Sequence, residues 1–327
     1  MGRIVGSMAQ TASLPRAGEV VDGAGDVGLG RTDRGRSDWA FLLQVARPGL
    51  WTTTALFYLM PLGHADLVRS GRFWVGLLYI LFPLSFLLYG VNDIVDAEAD
   101  RGNPRKGTYL FGSMGRDEQL AALRWKIAAV QAPFLVAFFL WTGPRIFLWF
   151  AGLLLAVALY NAPRIGWKGR PPLDVLIQGS YLLVFVLSSW VNGAAQLPWQ
   201  TFVFGALFAM HSHIFGEVMD IGPDRAAGRA TTATRLGAIR AKIVVAAILC
   251  VECGMVWWYF RDFVIAGFLA AGAVWFVADA FLMWKERAYS PTVMKLFMLG
   301  WNAAALLGIY WGYAHGSLTH VKHIAGN

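Results

Sequence analysis

From Asp38 onward the chain alternates long apolar stretches with short polar ones. The stretches fall at about 39–62, 73–92, 118–141, 145–162, 173–192, 199–220, 241–260, 263–284 and 291–314. Most reach the roughly 20 helical residues that a hydrocarbon core requires. None shows the alternation of a barrel strand, and unpaired backbone groups are too costly in lipid, so each stretch is expected to be a helix. Residues 1–37 are different, being rich in Gly and Arg with no apolar run and no helical period. They read as a disordered cytoplasmic tail that lacks the apolar core of a signal peptide. The expectation is an all-α polytopic membrane protein: the tail at 1–37, then a domain of about nine transmembrane helices over 38–327.

Composition supports this reading and charge orients it. Hydrophobic residues make up 57% of the 327 positions and charged residues 15%, against roughly 25% charged in soluble domains. The net charge of +8 resembles a nucleic-acid signal until the charges are located. With the N-terminus inside, most of the 28 Lys and Arg fall in segments on that side or at the inner ends of spans. The positive-inside rule therefore predicts a cytoplasmic N-terminus and an outer C-terminus, with membrane lipid and no nucleic acid as partner. Nothing in the pattern speaks to oligomeric state. Two cysteines, Cys250 and Cys253, sit in an apolar stretch where a disulfide would have nothing to staple.

Two acidic runs end spans two and six. The first holds Asn92, Asp93, Asp96 and Asp100, the second Glu217, Asp220 and Asp224. Both read acid-x-x-Asp-x-x-x-Asp, repeat after 124 residues and fall on the cytoplasmic side. Positions i, i+3 and i+7 share one helical face, so three carboxylates line up and repel unless a cation answers them. Carboxylate oxygens suit Mg²⁺, which prefers a few protein carboxylates together with phosphate oxygens. The cytoplasmic loops supply partners for such a phosphate: Arg101, Arg105 and Lys106, then Arg164, Lys168 and Arg170, then Arg225 and Arg229. The same basic residues are also what the positive-inside rule alone predicts.

These motifs, separated by four apolar spans, resemble the UbiA superfamily of intramembrane prenyltransferases over about 40–315. The resemblance implies transfer of an isoprenyl group from an allylic diphosphate to a lipophilic acceptor in a central cavity. It implies Mg²⁺ held by Asp93, Asp96, Asp100, Glu217, Asp220 and Asp224, with Asn92 in the first motif. Tyr160-Asn161-Ala162-Pro163-Arg164 is similar to the family's Tyr-x-x-x-Lys element, which makes Tyr160 and Arg164 catalytic candidates. Arg47-Pro48 resembles the family's basic position in the first span. With Arg105, Lys106, Lys168, Arg225 and Arg229, Arg47 completes the expected diphosphate-binding set. The acceptor stands between a carotenoid and an aromatic or quinone precursor. Asn103–Gly107 and Arg170–Asp174 resemble the branch that extends carotenoids such as lycopene.

Two further activities compete with transfer. One is a terpene cyclase of the same superfamily, and the other is an ion-coupled transporter whose acids bind the coupling cation. The transporter predicts acids near the bilayer midplane, whereas these clusters sit at helix ends beside basic loops. Cys250, Cys253, His211 and His213 have zinc-like spacing, but residues two apart on a helix point about 200° apart, so the two imidazoles cannot readily share a metal. Glu252, Asp279, Gln178 and Asn302 are polar groups within apolar spans, expected to face protein or cavity.

Overall fold

The computed structural model describes residues 38–322 apart from 64–66, 68 and 102–105, so the expected tail at 1–37 lies outside the described residues. The chain is helical. Its elements are α1 (Asp38–Val45), α2 (Trp51–Leu59), α3 (Gly71–Glu98, running on to Asp100), α4 (Asp117–Thr142), α5 (Arg145–Asn161) and α6 (Leu173–Asn192). There follow α7 (Trp199–Ala226), the short α8 (Thr232–Leu236), α9 (Ala238–Phe260), α10 (Phe263–Phe281) and α11 (Pro291–His315). Among the described residues, seven helices are long and apolar enough to cross a membrane. The protein is an integral, multi-pass membrane protein.

Two of the nine expected spans take a different form. The fourth, α5, is an apolar helix of 17 residues. The first breaks into α1 and α2, because Arg47 adopts a left-handed backbone (φ 46°) and Pro48 has no N–H to continue the ladder.

Polar ties between helices hold the bundle where apolar contacts cannot discriminate, since lipid is as apolar as leucine. Asn302 of α11 donates to the Gly49 carbonyl at 2.9 Å and accepts from Thr52 at 2.5 Å, fixing the break to the last helix. A Cβ at Gly49 would lie 2.9 Å from the Leu110 Cα, so only glycine lets this turn approach the following loop so closely. In α3, Pro83 sits in a π-turn over Ile80–Leu84. Its carbonyl is met by Gln131 of α4 at 2.7 Å, which in turn accepts from Tyr79 at 2.9 Å. Lys242 of α9 pairs with Asp279 of α10 at 2.9 Å, both fully buried. One apolar core gathers mainly α1–α6 and a second α7–α11. Helix α10 packs on α9 and α11 on α2, which leaves a gap between α10 and α11.

Candidate active site

The ends of α3 and α7 meet over a cavity of about 380 Å³. Asn92, Asp96 and Asp100 reach it from α3, and Glu217, Asp220 and Asp224 from α7. Members of both acidic motifs therefore face one space. Arg47, Lys106, Tyr160, Lys168 and Arg229 line the same cavity. Its acids number five and its Lys and Arg four among the described residues.

The first motif is densely paired. Arg47 donates to Asp93 at 2.8 Å, its guanidinium lying 4.4 Å over the Tyr89 ring. Lys106 bridges Asp93 at 3.2 Å and Asp100 at 2.6 Å, and Ser113 donates to the other Asp93 oxygen at 2.6 Å. Asp96 accepts from Lys168 and from Arg229, the latter at 2.8 Å. With its side-chain amide turned to face them, Asn92 joins this set, its nitrogen 3.2 Å from Asp96 and its oxygen 2.6 Å from Lys168. Burial draws the Lys168 ammonium well below the usual lysine range, Arg229 and Arg47 adding to the fall while Asp224 and Asp93 oppose it.

The second motif is held by other means. Glu217 accepts from the Ala233 backbone N–H at 3.0 Å and lies 3.1 Å from His213. Asp224 has Arg229 at 3.7 Å. Behind it, Asp174 of α6 accepts from the Thr232 backbone at 2.6 Å and from the Thr232 hydroxyl at 2.7 Å, locking α8 beneath the cavity.

The geometry departs from the expected residue set in three places. Asp93 is off the cavity wall, enclosed one turn deeper by Arg47, Lys106 and Ser113, so its carboxylate is committed to protein cations. Arg164 is exposed and off the wall because its backbone turns left-handed (φ 66°) in the loop after α5. Lys168, farther along that loop, supplies the cation beside Tyr160, 5.6 Å over its ring. Arg225 is also exposed and off the wall, and Arg105 lies outside the described residues.

Among the described residues no three acidic, imidazole or thiol groups converge on one point that would hold an ion. The donor chemistry nevertheless fits a hard divalent cation shared with a ligand. Five carboxylates already outnumber four cations, so an entering diphosphate needs further positive charge. Residues that motif reading passed over include Tyr89 and Tyr181, whose hydroxyls lie 3.3 Å apart on this wall. Their only sequence signal is a polar side chain inside an apolar span.

A second cavity of about 730 Å³ lies beside the first among α2, α7, α10 and α11. Phe57, Phe208, Phe215, Phe297 and Trp301 line both, so an aromatic wall is common to the two. His211 faces this apolar cavity and His213 the polar one, as their helical spacing predicts.

The described helices thus form an acid-ended bundle in which a charged polar cavity is backed by an aromatic and apolar one, the arrangement of an intramembrane enzyme. The chain belongs to the UbiA prenyltransferase family, whose pattern matches residues 49–315, and it is a prenyltransferase-type enzyme. A lycopene elongase/hydratase of Corynebacterium glutamicum is 29% identical over 272 residues, covering 79% of this chain and 93% of that protein. One from Haloarcula japonica is 35% identical over 204 residues, covering 60% and 67% respectively. The solved structure of a UbiA homologue from Archaeoglobus fulgidus, bound to DMAPP and Mg²⁺, superposes with a TM-score of 0.64 at 19% identity. It covers 84% of this chain and 98% of its own. The same homologue bound to GPP and Mg²⁺ gives a TM-score of 0.61. Membership of an enzyme family displaces the transporter reading.

Proposed function

We propose that the protein transfers the isoprenyl group of a short allylic diphosphate to an acyclic polyene such as lycopene, with Mg²⁺, at the cytoplasmic side of the membrane. The observation that carries the reading is the pair of adjoining cavities, one charged and one apolar, with an aromatic wall in common. The names of the relatives favour a carotenoid over an aromatic acceptor.

In this reading Arg229, Lys168 and Lys106 bind the diphosphate oxygens, and Asp96, Asp100, Glu217, Asp220 and Asp224 with Asn92 hold the metal. Bound Mg²⁺ would supply positive charge to the departing diphosphate. The C–O bond to the allylic carbon breaks with its electron pair leaving on the diphosphate, and the basic side chains stabilise that charge. The cation left behind faces Phe57, Phe208, Phe215, Phe297 and Trp301, whose ring faces favour positive charge and whose bulk excludes water. The acceptor enters the apolar cavity sideways from lipid. Its outer rim, including Phe268, Leu307 and Tyr310, is exposed at the gap between α10 and α11.

The decisive experiment supplies radiolabelled DMAPP or GPP and Mg²⁺ to membranes from a host without isoprenoid acceptors, with and without lycopene. Label in an extended polyene supports transfer, whereas labelled cyclic hydrocarbon without acceptor, and never a labelled polyene, establishes the cyclase instead. Orientation is tested in sealed right-side-out vesicles, where an N-terminal tag should be protected and a C-terminal one reachable.

A further inference from the structure

The apolar cavity contains one ionisable group that the reaction as described leaves unused. His211 is the sole histidine, lysine, arginine or carboxylate on its wall among the described residues. Its Nδ1 lies 3.2 Å from Glu252 Oε1 on α9, with side-chain exposures of 4% and 0%. The second carboxylate oxygen of Glu252 has no hydrogen-bond partner among the described residues. The imidazole sits edge-on to Phe208 and Trp301, ring centroids 5.1 and 6.2 Å away, and both of these rings belong to the wall common to the two cavities.

A stabilising role does not account for this pair. Enclosing an imidazole and a carboxylate among apolar membrane helices is costly in desolvation, and a single contact with an unanswered oxygen recovers that cost poorly. Apolar side chains of the same volume would hold α7 against α9 at least as well. Intramembrane ionisable groups of this kind mark proton-handling or ligand sites.

Resting on the transfer reading above, the geometry points to His211 as the base that ends the reaction, with Glu252 as its positioning residue. A carboxylate only accepts, so it fixes the proton on Nδ1, and the Nε2 lone pair has no partner among the described residues. When the acceptor's π electrons form the new C–C bond to the allylic carbon, the acceptor is left with a tertiary cation. Nε2 takes the proton from a carbon beside that cation, and the released C–H pair closes a new double bond. If a water molecule adds to the cation instead, Nε2 takes the proton that this water must shed, and the product is an alcohol. In both cases the proton ends on the imidazole, where Glu252 balances its charge.

The test uses membranes carrying the full chain, radiolabelled DMAPP, lycopene and Mg²⁺, and reads the ratio of coupled polyene to released diphosphate. His211→Gln and Glu252→Gln should lower that ratio at least tenfold while diphosphate release continues, because ionisation occurs in the other cavity. Glu252→Asp should retain more of the ratio than the better-fitting Gln, which a merely structural role would reverse. Free imidazole should raise the ratio in His211→Ala. Reaction in ¹⁸O-water assigns the proton's source, label appearing only in the alcohol. An unchanged ratio in both Gln variants overturns the assignment while wild-type labelling of lycopene upholds the transfer reading. No labelled polyene from wild type overturns both. Should His211→Gln lose diphosphate release through misfolding, Glu252→Gln against Glu252→Asp decides.

Discussion

The two acidic motifs are nearly the same in sequence and are used differently. At the end of α3, Asp93, Asp96 and Asp100 are each in contact with Arg or Lys. At the end of α7, Glu217 is held by a main-chain N–H and a histidine, and Asp224 has a single arginine at 3.7 Å. Arg229 is the one cation paired with both ends among the described residues. The lesson is that a repeated carboxylate pattern fixes where acids stand, whereas the surrounding loops decide what answers them. An entering diphosphate would compete for the resident cations of the first motif, and a divalent cation would find the less compensated carboxylates of the second.

Removing carboxylate charge from the second motif should have the largest effect. Asp220→Asn, or EDTA on the wild type, is expected to lower diphosphate release from DMAPP by at least about a hundredfold, as loss of a preorganised electrostatic partner does. Full activity under either condition would erase the proposed difference. The first motif should show its character in stability. Asp96→Asn leaves Lys168 without its carboxylate and Arg229 with Asp224 alone, a loss that reaches about 3–5 kcal/mol for a fully buried pair broken from one side and is smaller for these partly exposed cations. Thermal unfolding in detergent should therefore fall further for Asp96→Asn than for Asp220→Asn.

A smaller effect concerns pH. Because Lys168 is shifted downward, it loses its proton at a lower pH than an ordinary lysine, and with it the cation that answers Asp96 and the diphosphate. Activity should decline on the alkaline side before the usual lysine range is reached, and Lys168→Arg should move that decline to higher pH. The smallest effects are expected where the motif spacing is not matched by geometry: Arg164→Ala and Arg225→Ala should leave turnover within about twofold.

Much of the site was legible because helical spacing is rigid. The i, i+3, i+7 pattern places Asp96 and Asp100 with Asp220 and Asp224 on facing surfaces, and the same arithmetic sends His211 and His213 to different cavities. Loops were less legible. Between α5 and α6 the Pro and Gly positions allow the chain to double back, so the cation beside Tyr160 comes from Lys168 and not from the residue four after the tyrosine. The break at Arg47 was present as an Arg-Pro pair inside an apolar run, but average hydrophobicity conceals a backbone turn. Asp174 bound to Thr232, and the Tyr89–Tyr181 contact, arise from packing between distant spans and have no local signature.

The tie from Asn302 to Gly49 has a consequence for biosynthesis. Arg47 is among the first described residues to leave the ribosome, yet the turn that aims it is fastened by a side chain of the last helix. The chain thus carries this cavity-lining arginine through the intervening apolar stretches before the fastening exists. A nascent chain that has inserted everything up to α10 has both acidic motifs and the Arg47–Asp93 pair, but the turn beneath that arginine still lacks its tie to Asn302. Closure of the final helix against the first is therefore the step at which the turn carrying Arg47 acquires its side-chain tie.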